Sequence, residues 1–356
     1  MEGLGVTFWS GKRVLLTGHT GFKGAWASRW LASLGAKVVG VSRPPEMGPT
    51  LYDLLGQDHM MASHFVDLRD AEAVVDVVRS ARPEIVFHFA AQALVRKSYN
   101  SPVSTFSSNV MGTVHVLDAL RCHAEPKAIV VVTSDKVYEN DETGFAFTET
   151  SRLGGHDPYS ASKAATEIVV SSYRQSYFEE QGIPLVTARG GNVIGGGDFS
   201  EDRLVPDIVR AVSLEKIPEI RNPEATRPWQ HVLDCLDGYF SYAEALVSTD
   251  KVLPSALNFG PKLDSSAVTV GALVNGMMRA MDRPPTFEKS FEGGAHEMVR
   301  LSIDPSLTLH SLNWESRLTG DATLRLTAQW YGSFMAGENM KKITDGQINN
   351  YKDAVQ

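Results

Sequence analysis

The sequence predicts an α/β fold, a doubly wound parallel sheet with a smaller, irregular α/β C-terminal lobe. Three observations carry that reading. Short β-branched runs alternate strictly with longer stretches of helical periodicity through the first half of the chain. A glycine-rich turn sits between the first run and the first helical stretch. Beyond about residue 190 the rhythm gives way to glycine and proline punctuation. Strand and helix in strict alternation imply right-handed βαβ units, and sheets of that kind bind ligands at the carboxyl ends of their strands.

Taken in order, Val14–Leu16, Val38–Val41, Ile85–Phe87, Ile129–Val132 and Leu185–Val186 are short, continuous and apolar, as strands buried on both faces must be. A further strand is expected just before Asp67. Between the strands, Ala25–Leu34, Ala71–Ser80 and Val110–Leu120 carry apolar residues at helical spacing, Val74, Val77 and Val78 among them. Then come Gly195-Gly196-Gly197, Pro206, Pro218, Pro223 and Pro228, with short helical stretches between. The division is therefore a dinucleotide-binding unit over residues 1–190, which also holds the chemistry, and a substrate-gripping lobe over 191–356. Segments around 226–262 are expected to return to the first unit, with Ala256–Phe259 as a strand.

At 356 residues the chain can fill one large core or two coupled ones. Its 43% apolar and 21% charged residues are ordinary globular composition, excluding disordered, collagenous and disulfide-stapled classes. A net charge of −8 argues against a broad surface for nucleic acid or anionic membrane, while leaving room for a local phosphate pocket. The two cysteines, Cys122 and Cys235, form no CxxC, and the ten histidines show no HExxH, so neither a disulfide framework nor a metal site is expected. Met1–Trp9 lacks the pattern of a secretory leader, and no apolar run is long enough to span a bilayer; a cytoplasmic location is expected.

The turn Thr17-Gly18-His19-Thr20-Gly21-Phe22-Lys23-Gly24 follows the first strand directly. Its three glycines permit a tight turn and close approach of backbone to a pyrophosphate, which the following helix N-terminus would stabilise. The order of residues is not that of a P-loop. An acid at the end of the second strand would hold the ribose 2′-OH of NAD, but Ser42 and Arg43 stand there. Arg43 could pair with the 2′-phosphate of NADP, stack on adenine or be solvated, so NAD is expected with NADP left open. Asp67-Leu68 reads equally as an adenine-edge contact or a surface turn.

Tyr159 and Lys163 lie four apart at the start of a helix and so share one face. A nearby ammonium lowers a phenol from its usual value near ~10, letting tyrosinate act as a base. The pair comes after the fourth βαβ unit, beyond a strand ending Val132-Thr133-Ser134-Asp135-Lys136. Together these features resemble the extended, sugar-nucleotide-modifying branch of the short-chain dehydrogenase/reductase superfamily, with its Rossmann-type fold. The resemblance makes Tyr159 the base for alcohol oxidation, Lys163 the holder of the nicotinamide ribose and Ser134 a hydrogen-bond partner of the same substrate oxygen. It also places Phe89, Ala90, Ala91 and Arg189 with the cofactor, alongside Gly18, Thr20, Gly21, Phe22, Lys23 and Gly24. A charged pair after the serine, here Asp135 and Lys136, resembles the dehydratases of this branch, where epimerases carry smaller, inert residues. By itself such a pair reads as a solvated strand end.

Longer strings match in order: Phe8-Trp9 with Gly11-Lys12, the glycine turn, Gly154-Gly155-His156-Asp157-Pro158-Tyr159, Gly191–Asp198, Asp202–Asp207 and Arg227–Val232. They resemble the 4,6-dehydratases that act on CDP-glucose, over nearly the whole chain from residue 8 to Trp330-Tyr331. Arg43 and residues 284–301 depart from that pattern. The resemblance implies conversion of CDP-glucose to its 4-keto-6-deoxy product plus water in deoxysugar biosynthesis, of the kind that feeds lipopolysaccharide O-antigens. Asp135 would then protonate the departing O6 and Lys136 would take the C5 proton, which demands a neutral amine. Arg227 is the expected diphosphate ligand, with Asn192 and Arg203 in support; Gln92, Leu204 and Val205 fall to the substrate as well. For Arg227 and Arg203 an inter-lobe ion pair is the competing reading. Asn109 reads as an orderer of the catalytic helix or a helix cap, and His231 and Trp229 as packing. A homodimer or homotetramer is expected. A C4 epimerase, a dehydratase for another nucleotide sugar, and a dinucleotide-sensing regulatory protein are the alternatives.

Overall fold

The computed structural model describes residues 6–57, 60–262, 268–290, 298–318 and 320–354. Part of the divergent stretch 284–301 therefore lies outside the described residues. Strands β1 (Arg13–Thr17), β2 (Lys37–Ser42), β3 (Ala62–Phe65), β4 (Ile85–His88), β5 (Ala128–Val132) and β6 (Leu185–Gly190) form one parallel sheet. Beyond it come β7 (Asn192–Ile194), β8 (Glu219–Ile220), β9 (Thr226–Arg227), β10 (Trp229–His231) and β11 (Ala256–Phe259). β11 pairs with β6 at the edge of the first sheet, giving seven strands in the order β11-β6-β5-β4-β1-β2-β3.

The sheet has the doubly wound α/β form expected from the alternation. Its residues divide by period two, as pleated strands require. Val14, Leu16, Val130 and Val132 enter the core on one face, whereas Leu15, Ile129 and Val131 enter that on the other. The direction of chain progression reverses between β1 and β4, so a crevice opens where their carboxyl ends part.

Helix boundaries follow local chemistry. Asp70 caps Ala71–Ala81 by accepting from Ala73 N, and Arg82 ends that helix in a left-handed conformation. The helix expected from Val110 begins instead at Gly112, because a π-helical turn, Ser107–Met111, precedes it. That turn continues a short helix, Pro102–Phe106, that the apolar spacing did not signal.

Residues beyond 190 add small two-stranded ladders, β10 beside β7 and β9 beside Val268–Thr269. The helix Val232–Ser248 is buried along most of its length, and its Phe240 packs on Phe87, Trp9 and Trp30. The last helix, Met340–Asp353, also lies against the first unit: Tyr351 meets Trp30 edge-on, and Asp345 accepts from Arg29 Nε and Nη2. Helix Phe22–Ser33 is thus clamped from behind by the last helix.

Candidate active site

The glycine turn is built at the β1/β4 crevice. Gly18 has φ +77°, and a Cβ there would stand 2.8 Å from Ala90 N. A Cβ on Gly24 would stand 2.0 Å from Gly18 O, so the turn closes on the helix only because that carbon is absent. Ala90 N donates to Thr17 Oγ1, which also bonds His88 Nδ1, and His88 Nε2 reaches Thr113. Burial drives His88 down to about 3, so it is a neutral member of this network at physiological pH. The free amides of the helix start and the bare glycine backbone form a cradle suited to a pyrophosphate. Thr20 Oγ1 bonds Ser42 and donates to the Arg43 carbonyl, tying the turn to the end of β2. Arg43 extends outward to Glu46 at 3.9 Å. Asp67 accepts from Arg69, which with Arg43 holds its carboxyl below the usual range.

Opposite lies the end of β5. Ser134 is extended and opens a single 3₁₀ turn, Asp135–Val137, accepting from Lys136 N. Its hydroxyl donates to Asp135 Oδ1 at 3.0 Å. Lys136 Nζ donates to that same oxygen at 3.0 Å and to Asn192 Oδ1 at 3.0 Å. Asp135 is fully buried, and its Oδ2 has no hydrogen-bond partner among the described residues. Asn192 was expected on the substrate phosphates; here it grips Lys136.

Helix Pro158–Tyr173 supplies the other half. Asp157 caps it by accepting from Ser160 N, with Pro158 in the first turn where its missing N–H costs nothing. Ser134 lies beside the Tyr159 phenol and favours its ionised form, and Lys163 Nζ donates to the Val132 carbonyl at 3.0 Å. Burial lowers Lys163 to about 7, helped by the nearby Lys23, and burial raises the Tyr159 phenol above its ordinary value. The expectation that Lys163 lowers this phenol is corrected here: in the protein alone desolvation outweighs charge, and both groups favour their neutral forms.

Lys23 sits at the junction of the two halves. Burial lowers its pKa, with Cys235, Arg203, Asp135 and Lys136 as its charged or titratable neighbours. Its proximity to Cys235 joins residues far apart in sequence, and nothing in the spacing signals it. Arg203 donates to the buried Asp198 and precedes the helix Leu204–Ser213. Val205 is turned into the core and Leu204 packs partly against it.

Other candidates are engaged elsewhere. Arg189 is buried and gives its donors to Glu167, Tyr138 Oη and the Glu149 carbonyl; Glu167 also takes Thr133 and Thr187. That guanidinium welds β5, β6 and the Tyr159 helix together. Arg227 bonds the carbonyls of Thr226, Met298 and Val299. Asn109, in the π turn, accepts from Gln92 N and donates to Gln92 O and Ser162 Oγ. It orders the Tyr159 helix, and its position inside a helix removes the cap reading. The Gln92 side chain is held by Leu94 and Thr105. His231 is fully buried and caps its helix through Leu233 N, and Trp229 donates to Val268 O. Among the described residues no cluster of His, Cys, Asp and Glu could hold a metal ion, and no helix is long and apolar enough to cross a membrane.

The sequence model of the GDP-mannose 4,6 dehydratase family matches residues 15–327. This chain belongs to that family. Among curated family relatives, CDP-glucose 4,6-dehydratase of Salmonella typhimurium is 41% identical, with 98% of each chain aligned. Two solved structures show the family fold at 20% identity. UDP-glucose 4-epimerase of Thermotoga maritima superposes with a TM-score of 0.78, covering 90% of this chain and 99% of its own. dTDP-glucose 4,6-dehydratase of Bacillus anthracis, solved in complex with NAD, gives 0.76, covering 92% and 99%.

Proposed function

We propose that the protein is a lyase that converts CDP-glucose to CDP-4-keto-6-deoxyglucose and water, with NAD as its resident cofactor. The observation that carries this reading is the hydrogen-bonded Asp135–Lys136 pair beside Ser134 and Tyr159. Oxidising and re-reducing an alcohol needs only Ser134, Tyr159 and Lys163. Expelling water needs, in addition, an acid for the leaving oxygen and a base for the neighbouring carbon. The CDP-glucose assignment is supported by the 41% identical Salmonella enzyme.

The cradle of Gly18, Thr20, Gly21, Phe22, Lys23 and Gly24 fits a dinucleotide pyrophosphate, with Ser42, Arg43, Asp67 and Leu68 around the adenosine end and Phe89, Ala90 and Ala91 lining the switch point. When bound, NAD supplies a hydride acceptor that later returns the hydride. Tyr159 removes the O4 proton, with Ser134 orienting that oxygen and Lys163 holding the nicotinamide ribose. A ketone at C4 acidifies the C5 proton, which Lys136 takes. Asp135 protonates O6 as it leaves, its buried Oδ2 having no hydrogen-bond partner among the described residues. Arg203 stays charged beside Lys23, and with the amides of the glycine turn it gives anionic ligands a local partner in a chain of net charge −8.

The test is incubation of purified protein with CDP-, dTDP-, UDP- and GDP-hexoses and either NAD or NADP, scored by mass spectrometry. Loss of one water from CDP-glucose with NAD is expected. A product of unchanged mass would make the protein an epimerase, water loss from another nucleotide would move the specificity, and no conversion despite dinucleotide binding would favour a sensing role. The two free cysteines accord with a cytoplasmic location. Exposed Val103, Phe106 and Met111, with Ile168 on the Tyr159 helix, support a homodimer or tetramer, checked by light scattering.

A further inference from the structure

In a doubly wound sheet the end of the second strand lies beside the adenosine ribose of a bound dinucleotide, where an acid holds a free 2′-OH and an arginine receives a 2′-phosphate. In this chain β2 closes on Ser42 and Arg43 follows it, so neither residue is an acid. Asp67, beyond β3, is taken up by Arg69, whose Nε and Nη2 donate to its carboxylate at 3.0 and 2.6 Å. The Ser42 hydroxyl bonds Thr20 Oγ1 at 2.8 Å, and that threonine gives its own proton to the Arg43 carbonyl. Ser42 is therefore the donor in their bond and keeps its lone pairs, which suit a ribose 2′-OH as in NAD.

Arg43 has a second cation beside it. Glu46 Oε1 lies 3.9 Å from Arg43 Nη2 and 3.8 Å from the Nζ of Lys97, which comes from the helix Val95–Asn100 after β4. Segments that follow two different strands thus bring their cations to one carboxylate oxygen. Between Arg43 and Glu46 stand only Pro44 and Pro45. Proline fixes its own φ and restricts the residue before it, and a polyproline segment turns once in three residues, so Arg43 and Glu46 are kept on one side with little freedom to lose. All three side chains are open to water, at 62% for Arg43, 76% for Glu46 and 50% for Lys97, so a ligand can reach them. One carboxylate facing two cations leaves a positive charge over, and exposed pairs of this kind are weak enough to exchange.

We propose that Arg43 and Lys97 form a subsite for a ribose 2′-phosphate, with Glu46 holding their place in its absence, so that the chain binds NADP as well as NAD. A phosphate monoester carries nearly two negative charges near neutral pH and three acceptor oxygens, and a guanidinium grips two of those oxygens at once. On binding, it displaces the Glu46 carboxylate from both cations, which exchange one negative charge for nearly two. NAD leaves Arg43, Glu46 and Lys97 together and gives its 2′-OH to Ser42. The proposal rests on the dinucleotide reading of the glycine turn and is independent of which sugar nucleotide is the substrate.

Binding alone tests it. The full chain, freed of nucleotide on charcoal, is titrated calorimetrically with adenosine 2′,5′-bisphosphate and with AMP, which differ only in the 2′-phosphate. The bisphosphate is expected to bind about tenfold more tightly at low salt, as two exposed charge pairs would yield. That advantage should shrink at about 1 M salt, where exposed charges are screened within about 3 Å. Arg43→Leu should bring the ratio of the two affinities close to one, and Lys97→Met should lower it about threefold. Glu46→Gln should raise it about threefold, because the cations lose the carboxylate that competes for them. NADP and NAD titrated into the same proteins should follow the same order. A ratio near one in the wild type, or one that Arg43→Leu leaves unchanged, would overturn the subsite, and a ratio that does not rise in Glu46→Gln would remove Glu46 from its role. If AMP binds and the bisphosphate gains nothing, the subsite falls alone; if neither nucleotide binds, the dinucleotide reading falls with it.

Discussion

At the residue scale, the site is held in a state that its own burial disfavours. Lys163 is lowered to about 7 by desolvation with Lys23 nearby, and it has one hydrogen-bond acceptor, the Val132 carbonyl. An unfolded lysine titrates near ~10.4, so between pH 7 and 10 the unfolded chain binds more protons than the folded one, and stability rises with pH across that window. Replacing this amine should therefore help folding while harming function. Lys163→Met is expected to raise the melting temperature at pH 7 by a few degrees, with the gain shrinking as pH rises toward 10. Calorimetry across that range checks it, and a gain that grows with pH would contradict it. Lys136 presents a different case, since its amine is held by Asp135 and Asn192. Lys136→Ala should lose about 10²–10⁴-fold in water loss and abolish solvent deuterium uptake at C5, while C4 oxidation to the 4-ketohexose persists. Mass spectrometry in heavy water reads both, and exchange at an unchanged rate would remove Lys136 from the role of C5 base.

At the element scale, strands and their order were the most legible feature, because a strand buried on both faces leaves only a continuous apolar run, as in Ile129–Val132. The Tyr159–Lys163 pair was legible for a related reason: helical geometry fixes which residues share a face four apart. The π turn at Ser107–Met111 was not, since its stability comes from Asn109 reaching Gln92 and Ser162, residues distant in sequence. The partners of Arg189 and Arg227 were not legible either, as charge alone does not say that Glu167 or the carbonyls of Met298 and Val299 will face them. The glycine turn permits a contrast that composition could not offer. An alanine Cβ at Gly24 would meet the backbone of Gly18 at 2.0 Å, whereas at Gly21 the nearest atom lies at 3.4 Å. Gly24→Ala should cost about 1–3 kcal/mol by overpacking and Gly21→Ala much less. Denaturant unfolding of the two variants separates them, and equal losses would mean that the turn relaxes freely.

At the scale of the whole molecule, the two halves of the sequence do not fold as independent halves. Asp234, at the start of the helix that packs under the sheet, is buried and accepts from Ser316 Oγ, Arg317 N, Leu318 N and Tyr351 Oη. One carboxylate thus joins the centre of the chain to the segment before residue 320 and to the last helix. That helix in turn lies on Phe22–Ser33, whose first turn belongs to the proposed cofactor cradle. Removing Asp234 strands four donors in a dry interior, a loss far larger than that of an ion pair at the surface. Asp234→Ala is expected to destabilise by about 3–5 kcal/mol and to lower cofactor affinity by loosening the helix behind the cradle. Asp345→Ala, which breaks a partly buried pair with Arg29 and strands no neutral donors, should cost less, about 1–2 kcal/mol. Unfolding followed by tryptophan fluorescence, reporting the buried Trp30 and Trp330, and by far-ultraviolet circular dichroism should give coincident transitions in both variants if the chain unfolds as one cooperative unit. An Asp234→Ala protein as stable as Asp345→Ala, or one in which the two probes part, would show that the end of the chain is an accessory to the sheet and not part of what holds the active site in place.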